Sequence, residues 1–107
     1  MNAIYDSKHN FGAFRITDDN DESILKINCV KGDGLNLDNI GFIKIDVEGH
    51  ELSVLKGLKN TITNNMPIIF IEIQNFDNNP DEKIRFLYEL NYKRIYKLTH
   101  CDYLVLP

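Results

Sequence analysis

The sequence predicts an α/β domain, a three-layer arrangement around a mostly parallel sheet closed at one edge by an antiparallel pair. Three observations predict it. β-rich runs alternate with helical stripes through the middle of the chain, which implies parallel pairing through right-handed crossovers. The run Pro67 to Ile73 is almost continuously Ile and Phe, as expected of a central strand covered on both faces. The last two β segments, Tyr92 to Leu98 and Cys101 to Pro107, lie close enough in the chain to form a hairpin. With 107 residues, 43% of them apolar and 26% charged, the chain can build one core and does not read as disordered.

The elements follow in order. The first 23 residues are polar and turn-rich, with Asn10-Phe11-Gly12 and the acidic run Thr17 to Glu22 as loops around a short strand near Ala13 to Ile16. Ile24 to Val30 is β-rich and stops at Lys31-Gly32-Asp33-Gly34, whose glycines suit a tight turn. Gly41 to Val47 is the next strand and ends in Glu48-Gly49-His50-Glu51. From Glu51 the period changes: Leu52, Leu55, Leu58 and Ile62 form one helical stripe, closed by Asn64 and Asn65. Pro67 opens the Ile-rich strand. Asn79-Pro80-Asp81-Glu82 then supplies an N-cap, a first-turn proline and early acidic residues. Ile84, Leu87 and Leu90 give this helix its buried stripe, and Asn91 suits a left-handed C-cap. The expected order is β–β–α–β–α–β–β.

Composition narrows the partners. A net charge of −4 disfavours a broad nucleic-acid or anionic-membrane face, and the longest apolar run is far short of the ~20 residues of a membrane span. Cys29 and Cys101 lack CxxC spacing, so reduced thiols in a cytoplasmic protein are expected. No secretory signal opens the chain. The expected partner is a small molecule or another protein.

In open α/β sheets ligands bind at the carboxyl ends of parallel strands, which directs attention to the residues just past each strand. Asp33 follows the first, Asp46 and Glu48 the second, and Glu72, Gln74 and Asn75 the third. Such carboxylates can accept ligand N–H or O–H bonds, hold a divalent cation or act as a general base. Asp33 and Asp46 equally suit helix caps or turns. Glu72, inside an Ile-rich run, calls for either a functional role or a Lys/Arg partner. Lys44, between Ile43 and Ile45, is a candidate partner for a strand carboxylate. His50 reads as a solvated loop residue, and a metal at Asp46-x-Glu48-x-His50 would require the loop to fold back. Lys56, Lys59, Lys83, Arg85, Lys93, Arg94 and Lys97 read mostly as solvated faces.

The string Phe42-Ile43-Lys44-Ile45-Asp46-Val47-Glu48-Gly49-His50-Glu51, then Val54-Leu55-Lys56-Gly57, then Pro67 with Phe70-Ile71-Glu72-Ile73, closely resembles the signature of FkbM-type methyltransferases. Asn10-Phe11-Gly12, Gly32-Asp33 and Asp102 to Pro107 also look like that family. The resemblance implies a partial seven-stranded Rossmann-like methyltransferase fold: the family's C-terminal half, with residues 1–23 as a variable segment and 24–107 as the α/β core. It implies S-adenosylmethionine as cofactor and a small-molecule hydroxyl, on a sugar or natural product, as methyl acceptor. It sets Asp33 beside the adenine, and Asp46 and Glu48 where the transferred methyl and the acceptor meet. Together with Glu72 these two are the candidate catalytic residues.

The family's first strand, its glycine-rich cofactor loop and the acid after its second strand have no counterpart in this sequence. The resemblance therefore also implies an unpaired apolar edge on the Asp46 strand. That edge could be filled by collapse of the Ile24–Val30 strand, by a homodimer partner or by a complementing N-terminal polypeptide. A non-catalytic remnant that uses this edge for a partner is the alternative to an O-methyltransferase. A small metal-dependent hydrolase using Asp46, Glu48 and Glu72 trails, because no His cluster accompanies the acids.

Overall fold

The computed structural model describes residues 2–5, 14–17, 25–74 and 80–107, with side chains over 27–74 and 81–107. The chain divides into two compact units, Met1–Val30 and Lys31–Pro107. Asn10-Phe11-Gly12, the acidic residues 18–22, Asn75 and the Asn79 cap lie outside the described residues.

The first unit is a three-stranded antiparallel sheet made of β1 (Asn2–Tyr5), β2 (Phe14–Thr17) and β3 (Leu25–Lys26), in the order β2-β1-β3. The strand expected near Ala13 to Ile16 is present as β2. Of the longer strand expected over Ile24 to Val30, Leu25–Lys26 is strand and pairs with Ala3 and Asn2, residues 27–30 are not strand, and Ile24 lies outside the described residues. Strand propensity is realised only where a neighbouring strand accepts the ladder. Here the partner is β1, a four-residue strand in a segment whose composition reads as loop.

The second unit is a four-stranded sheet with helices. It contains a 3₁₀ turn (Gly32–Leu35), β4 (Phe42–Ile45), α1 (Glu51–Gly57), α2 (Lys59–Asn65), β5 (Ile68–Glu72), α3 (Pro80–Glu89), β6 (Arg94–Lys97) and β7 (Asp102–Leu106). The sheet order is β4-β5-β7-β6. β4 and β5 are parallel, and β7 is antiparallel to both its neighbours. The antiparallel hairpin expected at one edge is thus present, with its second strand inserted next to β5.

Residues opposite one another in the ladder share a face, so the register sorts the two sides of the sheet. Ile45, Ile71 and Tyr103 form one row, and Ile69, Val105 and Ile95 another. They pack with Leu55, Ile62, Leu87, Leu90 and Tyr92 into one core. The opposite face carries Phe42 with Ile68, and Lys44, Phe70, Leu104 and Tyr96 in line. Phe42 is 57% and Tyr96 49% exposed. Among the described residues, then, the helical layer lies on one face, and the second covering layer of a three-layer arrangement is not seen.

The single helix expected from Glu51 to Asn65 is two helices that meet at Leu58. The cause is local. The N–H groups of Asn60 and Thr61 donate to the Asp33 carboxylate, at 3.0 and 2.8 Å, instead of to the preceding helical turn. A Cβ on Gly32 would overlap the Leu58 side chain, so only glycine lets the 3₁₀ turn approach the break this closely. α2 ends at Met66 in the left-handed conformation, one residue beyond the asparagines expected to close it. α3 ends near Asn91, whose φ of 73° is the expected left-handed cap. Tyr92, fully buried, donates its hydroxyl to the Pro67 carbonyl at 2.6 Å and ties the end of α3 to the start of β5.

Candidate functional site

The carboxyl ends of β4 and β5 gather acids from three segments. Glu72 closes β5, and Asp46 stands one residue beyond the Ile45–Ile71 pair on β4. Asp102 lies directly opposite Glu72 on β7. Glu48 follows in a turn where it adopts φ 51° and Gly49 adopts φ 99°. The left-handed region is free for glycine and strained for glutamate. The three acids singled out from the sequence, Asp46, Glu48 and Glu72, therefore share one end of the sheet.

Their proximity shows in Glu72. Its pKa is raised above the ordinary glutamate value, first by partial burial and then by the negative charges of Asp46, Asp102 and Glu48. A hydrogen bond from the Gln74 amide opposes the shift. Glu72 has no basic partner among the described residues, and Lys44 lies exposed on the open face without an ion pair. Among the described residues, the candidate pairing of Lys44 with a strand acid is not made. Asp102 is itself held in place: the Thr99 hydroxyl donates to its carboxylate at 2.8 Å and accepts its backbone N–H at 3.0 Å. Among the described residues, no three His, Cys, Asp or Glu side chains are gathered closely enough to hold a metal ion.

Asp33 sits elsewhere on the unit. Its Oδ1 accepts both the N–H and the hydroxyl of Thr61 at 2.8 Å, and its Oδ2 accepts the Asn60 N–H. The Thr61 N–H bond is the main reason its pKa falls below the ordinary value. An open recess of about 370 Å³ beside it is lined mainly by polar groups, among them Asp38, Asn60 and Asn64. The carboxylate acts as a cap supplied from outside the helix.

Two charged residues escaped the sequence reading. Glu51, 1% exposed at the start of α1, and Lys83, 4% exposed in α3, form a buried ion pair at 2.7 Å. Lys83 was expected on a solvated face. The signal was in the spacing: Lys83 precedes Leu87 and Leu90 by four and seven residues, and Glu51 precedes Leu55 and Leu58 in the same way. Each therefore stands on its helix's buried stripe. Asp102 was missed for another reason, since it joins the acids only once β7 is known to neighbour β5.

No helix among the described residues is long and apolar enough to cross a membrane. No curated protein and no solved structure matches the chain. The Methyltransferase FkbM domain, however, matches residues 2–94, most of the sequence, including the segments that carry Asp46, Glu48 and Glu72. The chain accordingly belongs to the FkbM methyltransferase family.

Proposed function

We propose that this FkbM domain serves S-adenosylmethionine-dependent O-methylation of a hydroxyl on a sugar or other small molecule, with Asp46, Glu48 and Glu72 on the acceptor side. The observation that carries the reading is the convergence of these acids at the ends of two adjacent parallel strands in a methyltransferase family member. A carboxylate with a raised pKa is a stronger base, and Glu72 has that character. Asp46 and Glu48 would accept hydrogen bonds from the acceptor, and Glu72 would take the proton of the hydroxyl as it attacks. Holding that oxygen in line is where such a site gains most of its acceleration.

The cofactor supplies the methyl group. Its fit to this chain is incomplete: Asp33, set beside the adenine by resemblance, spends both carboxylate oxygens on the start of α2. The described residues do not amount to a whole cofactor site. A complementing N-terminal polypeptide or a second copy of the chain would supply the rest. Free Cys29 and Cys101 suit the cytoplasm as its location.

One observation favours a second reading. β4 is an edge of its sheet and carries the exposed Phe42, which suits a non-catalytic module that binds a partner along that edge. Isothermal titration of the 107-residue chain with S-adenosylmethionine separates the two. Saturable binding supports the enzyme, and its absence overturns an enzyme that works alone. In an assembly that transfers methyl groups, Asp46→Asn is expected to lower turnover without unfolding the chain; unchanged turnover removes Asp46 from the mechanism.

A further inference from the structure

The Glu51–Lys83 pair is joined to the turn that carries Glu48 by a hydrogen bond, and the two oxygens of Glu51 are divided between different tasks. Oε2 accepts from Lys83 Nζ at 2.7 Å, while Oε1 accepts the backbone N–H of Gly49 at 3.1 Å. Gly49 and Glu48 are consecutive left-handed residues, and one of them is not glycine. Such a conformation persists only where surrounding contacts over-determine it. The bond from Gly49 to Glu51 is such a contact, and Lys83, reaching across from α3, holds Glu51 in the one orientation that makes it. A buried ion pair seldom stabilises a fold better than well-packed apolar side chains of the same volume. Its presence here is better explained by what it orients.

We infer that Glu51, locked by Lys83, is a positioning residue: it fixes the Glu48–Gly49 turn and thereby the place of the Glu48 carboxylate beside Glu72. The functional meaning of this device rests on the acceptor-site reading proposed above, whereas the device itself does not. Glu51 touches no reacting group and reaches the turn through the Gly49 backbone.

Amide hydrogen exchange on the full chain tests it, because exchange reads the turn and not turnover. Glu51→Leu combined with Lys83→Met keeps the volume and removes both charges. In that variant the Gly49 amide is expected to exchange roughly tenfold faster or more, while the Ile69 and Ile71 amides keep their rates. Glu51→Gln retains an acceptor oxygen and is expected to keep Gly49 slow. An unchanged Gly49 rate in the double variant overturns the inference, and so does acceleration of all three amides by a common factor, which would mark a purely structural pair. Should the double variant fail to fold, a chain that keeps the Glu51–Lys83 pair still decides. In a Glu48→Gln background the Gly49 amide proton is expected to titrate with the same midpoint as the Glu51 carboxyl carbon, and separate midpoints refute the contact. Failure of methyl transfer would remove the acceptor-site reading and leave these outcomes intact.

Discussion

At the scale of single residues, three carboxylates in one small unit face opposite electrostatic demands. Glu51, bonded to Lys83 and to backbone N–H groups, is held below its ordinary pKa of 4.5 despite burial. Its contribution to stability is present above that value and is lost as pH falls through the lower folded-state pKa. Glu72 runs the other way. Its folded pKa is raised, so ionising it costs stability, and the cost grows as pH rises from 4.5 through the folded value. Glu72→Gln is therefore expected to stabilise the chain near neutral pH and to have little effect well below pH 4.5, as measured by urea unfolding at both ends of the range. Glu51→Ala breaks the buried pair with Lys83 and is expected to cost about 3–5 kcal/mol in the same experiment. Asp33→Ala strips the start of α2 of its cap, and faster exchange at the Asn60 and Thr61 amides is the expected sign.

At the scale of elements, the break between α1 and α2 is built from Gly32, Asp33 and Leu58 acting together. Gly32→Ala is expected to destabilise the chain by about 1–3 kcal/mol through overpacking against Leu58. Leu58→Ala in that background should cost less than Leu58→Ala alone, and a double-mutant cycle measures the difference. This break also shows why the sequence was only partly legible. The stripe of Leu52, Leu55, Leu58 and Ile62 revealed a helical segment and its buried side. It could not reveal that an acid some 27 residues upstream would claim two of its N–H groups. The strands β4 and β5, the hairpin and the cap at Asn91 were legible because each rests on local pattern. Asp46, Glu48 and Glu72 could be grouped because parallel strands end on the same side of a sheet. The place of Asp102 and the pairing of Glu51 with Lys83 depend on which strands and helices become neighbours, and that is decided by tertiary packing.

At the scale of the whole molecule, the sheet of the second unit has one face covered by helices and one face on which Phe42 and Tyr96 remain exposed. With β4 unpaired on its outer side among the described residues, self-association through this strand is the expected liability at high concentration. Phe42→Lys should reduce it, and sedimentation velocity over a concentration series checks the effect. β7 is the last strand, yet it lies between β5 and β6. Synthesis at ~5–20 residues per second leaves β5 without that neighbour for roughly 2–7 s after Glu72 is joined. During that interval the most apolar strand of the protein has an open side while the ribosome is still at work. The ladder that joins β5 to β7 is therefore among the last parts of this sheet that the growing chain can close.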